Sequence, residues 1–366
     1  MPSSVTGVIT RRVFWISLGY NMVVMSISML AVQLAGSQAP PIPFVPHMTP
    51  PAALSAMSYR PTESAIGWAD SGRTLVFAHV AIYEAGREEW TLRYKESGIF
   101  ALDIDRWTLK KLSGLDQFRR PYDGILTLGR ANELIYGHEG GEHNVHVLDL
   151  TNGRDTGIGP PCDYPALSLR LSPDQQTIAL VSQCVHHRAS TPLAIMRADG
   201  SHLHALAPKD TGGAHEPSWS PDGRRLVYTR TDGTAADVNG HVATIDTSGV
   251  LLRTFGPGDS PDWSPTGEWI AYLSPGTAPS FEAAVHIVHP DGTGDRVVCA
   301  GQPKDPHPAN GRPYNEGSPV GPIRWSPDGH TIVFGRVDST GTMLWRLDVQ
   351  SGTMTQLTSV DGHPSR

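Results

Sequence analysis

One five-residue turn recurs along the chain. Trp219-Ser220-Pro221-Asp222-Gly223 and Trp325-Ser326-Pro327-Asp328-Gly329 are identical, and Trp263-Ser264-Pro265-Thr266-Gly267 differs at one place. Leu171-Ser172-Pro173-Asp174-Gln175 and Trp68-Ala69-Asp70-Ser71-Gly72 are variants, and Leu128-Gly129-Arg130-Ala131-Asn132 is a weaker sixth copy. The heads lie at 68, 128, 171, 219, 263 and 325, a period of about 40 to 50 residues with two insertions. Proline fixes φ at the second turn position, Asp bonds its own backbone and Gly accepts positive φ, so each copy is a tight turn. Self-similarity at this period belongs to a chain of repeated supersecondary units.

A short β-rich run follows every turn, as in Leu75-Val76-Phe77, Leu134-Ile135-Tyr136, Ile178-Ala179-Leu180-Val181, Leu226-Val227-Tyr228, Ile270-Ala271-Tyr272 and Ile332-Val333-Phe334. A third strand comes next, such as Val145 to Asp149, Leu193 to Met196 or Val285 to Val288, and a fourth short run such as Gln356-Leu357-Thr358 ends the unit. Each repeat therefore reads as a four-stranded antiparallel sheet. One such sheet cannot bury both of its faces, so the units must stack around an axis and close. The expected fold is all-β, a six-bladed β-propeller with blades near 63–113, 122–159, 163–208, 215–256, 259–301 and 316–359. The repeat resembles that of the TolB-type propellers, which carry the same Trp-Ser-Pro-Asp-Gly turn before a strand, over roughly residues 60 to 360. The turn-head residues Trp68, Trp219, Trp263 and Trp325 read as large anchors packed between neighbouring blades rather than as ligand stackers. TolB proteins also have a separate N-terminal α/β domain, whereas an apolar segment and a spacer precede the repeats here, so the cell-envelope role does not follow from the repeats alone.

Composition agrees with many short strands and turns: 38 Gly and 31 Pro, 39% apolar and 18% charged residues. That apolar content supports a large core and excludes overall disorder. A net charge of −7 without any run of Lys or Arg excludes a nucleic-acid reader. Residues 1–12 lack acids and end in Arg11-Arg12, after which Val13 to Ala35 are almost wholly apolar. This is an export signal or a membrane anchor in residues 1–39. Thr10-Arg11-Arg12-Val13-Phe14 resembles the twin-arginine export signal. Ser37-Gln38-Ala39 suits signal peptidase while Pro40 obstructs it, so cleaved and retained forms are both open. Membrane contact is expected only through residues 13–35, and only if they are retained. No Cys follows the apolar run, which disfavours a lipid anchor. Residues 40–60, with Pro40, Pro41, Pro43, Pro46, Pro50 and Pro51, form an extended spacer ahead of a propeller spanning 61–362.

Three cysteines in an exported chain allow one disulfide. Across the hairpin that turns at Ser172 to Gln175, Cys162 and Cys184 fall nearly opposite each other. A structural disulfide between them, worth about 3 kcal/mol, is expected, with two separate buried thiols as the alternative. Cys299 reads as a small core residue.

The chain contains no Gly-x-Ser-x-Gly elbow, phosphate-binding glycine loop, Cys-x-x-Cys pair or His-Glu-x-x-His helix. Propeller function concentrates where loops enter the innermost strands. Each of those loops carries a carboxylate: Glu63, Asp123, Asp163, Glu216, Asp259 and Glu316. Facing inwards, they would make an acidic mouth suited to a divalent cation, a basic peptide or an amine; otherwise each caps its own turn. His215 beside Glu216 would add a ligand or general base. His143/His146, His202/His204 and His186-His187 lack a carboxylate at ligand spacing, so no metal site is assigned to them. The insertions at Tyr83 to Gly98 and Gly301 to Gly321 are either recognition loops or surface elaborations. These features favour a module that binds a protein or peptide. The alternative is a channel-mouth lyase or hydrolase, with or without a divalent cation, using His215, Glu216, Asp259 and Asp123.

Overall fold

The apolar run after each turn is buried on both faces, and this shapes the whole molecule. The computed structural model describes residues 58–359 except 86–88, 93–96, 115–125, 131, 139–141, 163, 165, 183–191, 207–211, 233–239, 276–282, 302–316 and 338–340. The expected export or anchor segment and its spacer thus lie outside the described residues, bar the spacer's last three. Among the described residues, no helix is long and apolar enough to cross a membrane.

Six blades follow one another in the chain. Blade 1 comprises β1 (Ser58–Ala69), β2 (Thr74–Ala85), β3 (Glu89–Leu92), β4 (Gly98–Asp103) and β5 (Thr108–Ser113). Blade 2 has β6 (Leu126–Leu128), β7 (Glu133–Gly137), β8 (Val145–Asp149) and β9 (Asp155–Ile158). Blade 3 has β10 (Leu167–Leu171), β11 (Thr177–Val181), β12 (Leu193–Arg197) and β13 (His204–Ala205). Blade 4 has β14 (Ala214–Trp219), β15 (Arg225–Arg230), β16 (His241–Asp246) and β17 (Leu251–Pro257). Blade 5 has β18 (Asp259–Trp263), β19 (Ile270–Ser274), β20 (Ala284–Val288) and β21 (Arg296–Ala300), and blade 6 has β22 (Pro319–Trp325), β23 (Thr331–Val337), β24 (Thr342–Asp348) and β25 (Met354–Gln356). Within each blade the pairing is antiparallel; β3 forms a side hairpin on β2, so the first insertion is partly strand.

Side chains alternate across a strand, so a second strand buried on both sides serves two neighbours. Leu226 and Tyr228 of β15 join a core with blade 3, and Val227 between them joins a core with blade 5. Ile178 and Leu180 of β11 face blade 2 while Ala179 and Val181 face blade 4. The same division gives six apolar cores, one between each consecutive pair of blades. The sixth joins Val333, Leu344 and Leu357 of blade 6 to Ala65, Leu75, Phe77 and Leu102 of blade 1, so the ring is closed. Among the described residues, closure exchanges no terminal strand. β1 instead packs on β22 and makes one parallel bridge to β24, Thr62 to Thr342.

The turn chemistry repeats as residue type demands. The Ser220 hydroxyl donates to Asp222 Oδ1 (2.6 Å) and accepts from the Arg225 N–H (2.9 Å), while Asp222 Oδ1 accepts from the Arg224 N–H (3.1 Å). Ser172 with Asp174 and Ser326 with Asp328 build the same network, and Thr266 replaces Asp in blade 5. Gly223 and Gly329 close their turns at φ 68 and 73, and Gln175 takes φ 60 in the same place. Trp219, Trp263 and Trp325 are buried in interblade cores, and Trp68 packs at the edge of the sixth core. Trp219 Nε1 donates to the Arg170 carbonyl (3.1 Å) and Trp325 Nε1 to the Asp262 carbonyl (3.1 Å), each in the preceding blade. Trp263 Nε1 reaches only Gly267 of its own turn, at 3.4 Å. Cys162 is disulfide-bonded and Cys299 is a buried free thiol; the expected partner, Cys184, lies outside the described residues.

Trp325→Phe and Trp263→Phe delete the same atoms, but only the first breaks an interblade bond. Urea denaturation is expected to find Trp325→Phe less stable than Trp263→Phe by about 1 kcal/mol, the net worth of one hydrogen bond. Equal losses would contradict an energetic role for that bond.

Candidate functional site

The six innermost strands, β1, β6, β10, β14, β18 and β22, contact one another in that order around the axis. The residue just before each turn head occupies the inner end of a blade seam: Gly67, Thr127, Arg170, Ser218, Asp262 and Arg324. Asp262 is 8% exposed and bridges its neighbours. Its Oδ1 accepts from the Ser218 hydroxyl of blade 4 (2.8 Å) and its Oδ2 from the Trp325 N–H of blade 6 (2.8 Å). Ser218 Oγ also accepts from the Trp263 N–H (3.1 Å). Arg324, 7% exposed, donates from Nε to the Ile66 carbonyl of blade 1 (3.0 Å) and from Nη1 to the Ile323 carbonyl. Arg170 donates from Nη1 to the Leu169 carbonyl at 3.3 Å.

Nearer the start of the inner strands, a bulge interrupts the pairing with the second strand in blades 3, 4 and 5. At it, Ser168, Glu216 and Ser260 adopt φ of 51, 50 and 50. Left-handed backbone is costly for residues with a Cβ and persists where surrounding structure enforces it. Gly321 of blade 6 is part of that surrounding: a Cβ there would sit 1.9 Å from Ser260 Oγ. Glu216 is the charged member of the three, between His215 of the same strand and Asp259 at the start of β18.

These groups act on one another across four blades. Burial, then the Glu216 charge, pushes the Asp259 carboxyl up to about 7, against a hydrogen bond from Ser260. The residue as a whole keeps exposed surface although its carboxyl is hemmed in. Burial lowers the His215 pKa, so its imidazole is uncharged at neutral pH, although Glu216 opposes the shift. Burial and then the like charge of Arg170 lower the Arg324 pKa, with Asp262 and Glu216 opposing. Burial also lowers the Arg170 pKa, again offset by Asp262 and Glu216. Both guanidiniums stay charged at neutral pH.

Of the six carboxylates expected at the mouth, Glu216 and Asp259 are brought together. Glu63 lies on β1 in register with His79. Asp123, Asp163 and Glu316 lie outside the described residues. Arg170, Asp262 and Arg324 were not anticipated, so the described part of the channel is mixed in charge rather than purely acidic. In the sequence they stand at the position just before a turn head, which carries Gly67, Thr127, Arg170, Ser218, Asp262 and Arg324 in turn.

Among the described residues, no group of three or more His, Cys, Asp and Glu is arranged to hold a metal ion. His143 Nδ1 meets the Gly159 carbonyl, His202 Nδ1 meets Ser201 Oγ, and His204 Nδ1 meets the His202 carbonyl, all within 2.9 Å. His186 and His187 lie outside the described residues. Two hydrogen-bonded clusters were not foreseen. Asp155 binds the Tyr136 hydroxyl and His146 Nδ1, and Asp295 binds the Tyr272 hydroxyl and His286 Nδ1. Each ties the second and third strands of its blade to the fourth. On the turn face, Arg225, Glu268, His289, Pro290, Asp291 and Thr293 line an open depression of about 550 Å³. There His289 stacks on Trp269 at 3.8 Å and Asp291 caps its own turn.

Neither family models nor curated proteins match the chain. Solved structures do. TolB from Acinetobacter baumannii superposes with a TM-score of 0.54 at 14% identity, over 84% of this chain and 80% of that one. A protein described as TolB from Agrobacterium tumefaciens gives 0.51 at 18% identity, over 70% and 86%. An oligogalacturonate lyase in complex with manganese gives 0.51 at 14% identity, over 82% and 78%. At these identities the likeness is one of fold: the chain has the six-bladed propeller architecture of TolB proteins.

The raised pKa of Asp259 has a definite sign. Between about pH 4 and pH 7 the folded protein holds a proton that the unfolded chain has released, so this group's contribution to stability falls as pH rises through that window. Asp259→Asn removes that dependence. Its urea midpoint is expected above wild type at pH 8, with the gain shrinking as pH drops towards 4. A gain independent of pH would contradict the assignment.

Proposed function

We propose that this protein is an exported or membrane-tethered propeller that binds a protein or peptide segment at the mouth of its channel. The observation that carries this reading is the pair Glu216 and Asp259. Glu216 is held in left-handed backbone, and burial and then the Glu216 charge disfavour the charged form of Asp259. A cationic group entering there would relieve the repulsion and restore full ionisation of Asp259, so binding is coupled to proton release. A ring with six interlocked cores suits display of such a site, because little ordering cost remains to be met on association. The TolB likeness supports a protein-binding role, and the apolar N-terminal segment supports an exported address.

A second reading is an enzyme. A carboxyl group whose pKa is raised towards neutrality beside a second carboxyl and a neutral histidine resembles an acid and base pair, and one structural neighbour is a lyase. Manganese and oligogalacturonate supplied together are the substrate test for that reading.

Selection from a displayed peptide library separates the two. Basic peptides are expected to be enriched, and Glu216→Gln/Asp259→Asn is expected to weaken them at least tenfold without changing the fold. Peptides indifferent to both substitutions would contradict the mouth as the site, and turnover of oligogalacturonate that depends on His215 would favour the enzyme. N-terminal sequencing of the mature protein tests the address: a start after the apolar segment means release, and an intact residue 1 in the membrane fraction means tethering. Recovery of the intact chain from the cytosol would contradict export.

A further inference from the structure

Below the acidic pair, the channel holds two guanidinium groups at equivalent positions. Arg170 and Arg324 each precede a turn head, on blades 3 and 6, which face each other across a ring of six. After burial, the like charge of Arg170 contributes to lowering the Arg324 pKa. Bringing like charges together away from bulk water is unfavourable unless anions pair with them.

The anions at hand do not complete that pairing. Asp262 is in range of both, but its two carboxylate oxygens are engaged by the Ser218 hydroxyl and the Trp325 N–H. Glu216 acts on both from the next layer up. Among the described residues, no carboxylate hydrogen-bonds either guanidinium, and both donate to main-chain carbonyls alone. Most of the donors of two planar forks therefore remain for something else, and a guanidinium fork matches an oxyanion bidentately. Asp262 and Ser218 occupy one side of the axis between blades 3 and 6. The other side carries Gly67 and Thr127 at this level, neither of them an anion.

We propose that Arg170 and Arg324 together form an oxyanion site inside the channel that takes a carboxylate of the bound ligand. The inference rests on the channel being the ligand site. A bound segment would present a cationic group to Glu216 and Asp259 at the mouth and a carboxylate, such as a free C-terminus, to the arginines beneath. The whole channel then meets a ligand of balanced charge, which fits its own mixed composition.

Titration calorimetry at fixed ionic strength tests this with acetate, inorganic phosphate, and N-acetyl-tetraglycine as its free acid and as its C-terminal amide. The free acid is expected to bind wild-type protein at least tenfold more tightly than the amide. Arg170→Gln, which leaves the interblade bond of Arg324 in place, should reduce the acid to the level of the amide. Arg170→Lys, which keeps the charge but loses the fork, should fall between. Phosphate binding more tightly than the acid, with the same dependence on Arg170, would support the oxyanion site and assign it to a phosphate group. Equal binding of acid and amide by wild type, a comparison that needs no variant, would overturn the proposal. In that case peptides selected through Glu216 and Asp259 would still stand. Conversely, discrimination of acid from amide without any selected peptide would remove the peptide-binding reading and leave the oxyanion site.

Discussion

Asp262 holds three blades at once. Through its two side-chain oxygens and its carbonyl it accepts from Ser218 in blade 4 and twice from Trp325 in blade 6, at a depth where water competes little. The ring as a whole depends on the constraint this seam expresses: no blade can bury its own apolar faces. Each second strand gives alternate side chains to alternate neighbours, so removing any blade would expose two cores. Six such cores around six blades leave no terminal blade with a bare face. Closure by packing and one backbone bridge is sufficient because the interface between blades 6 and 1 is built like the other five, with Arg324 reaching Ile66 as Asp262 reaches Trp325.

The channel chemistry follows from that closure. The position before each turn head must sit at the inner end of a seam, whatever residue occupies it. Ser218, Asp262 and Arg324 there make interblade hydrogen bonds, Arg170 donates within its own strand, and Gly67 and Thr127 add little bulk. Charge placed there is shared between blades far apart in sequence, which is why Arg170, Glu216, Asp262 and Arg324 influence one another across about 150 residues of chain. The bulges at Glu216 and Ser260 then set the mouth. They interrupt regular pairing close to the ends of the inner strands, and the left-handed backbone there is kept in place by packing such as that of Gly321 on Ser260.

Much of the fold was legible because it rests on local chemistry. A turn written as Trp-Ser-Pro-Asp-Gly specifies its own hydrogen bonds, and the continuous apolar run after it announces a strand buried on both sides. Even the blade 2 copy, in which Gly129 stands where the others have Ser or Ala, keeps a turn through Asn132 at φ 62 and an Arg130 N–H bond to Glu133. The site was only half legible. Glu216 and Asp259 could be selected as acids preceding a turn, but their proximity is a property of ring geometry. Arg170 and Arg324 escaped notice because basic residues on a strand have no local signature, and their meeting depends on blades 3 and 6 lying opposite each other. The Tyr136–Asp155–His146 and Tyr272–Asp295–His286 clusters were hidden for the same reason, since their members are apart in sequence and meet only when the strands of a blade pair.

The channel exists only if the ring closes, and closure can be measured. In a Cys299→Ser background, Thr62→Cys and Thr342→Cys place one thiol on each side of the single bridge between the first and last blades. Mild oxidation of dilute protein is predicted to give a monomer in which mass spectrometry finds the peptide containing position 62 linked to that containing position 342. Failure to cross-link, or cross-linking only between molecules, would mean that blades 1 and 6 do not meet, and the channel would lose its basis.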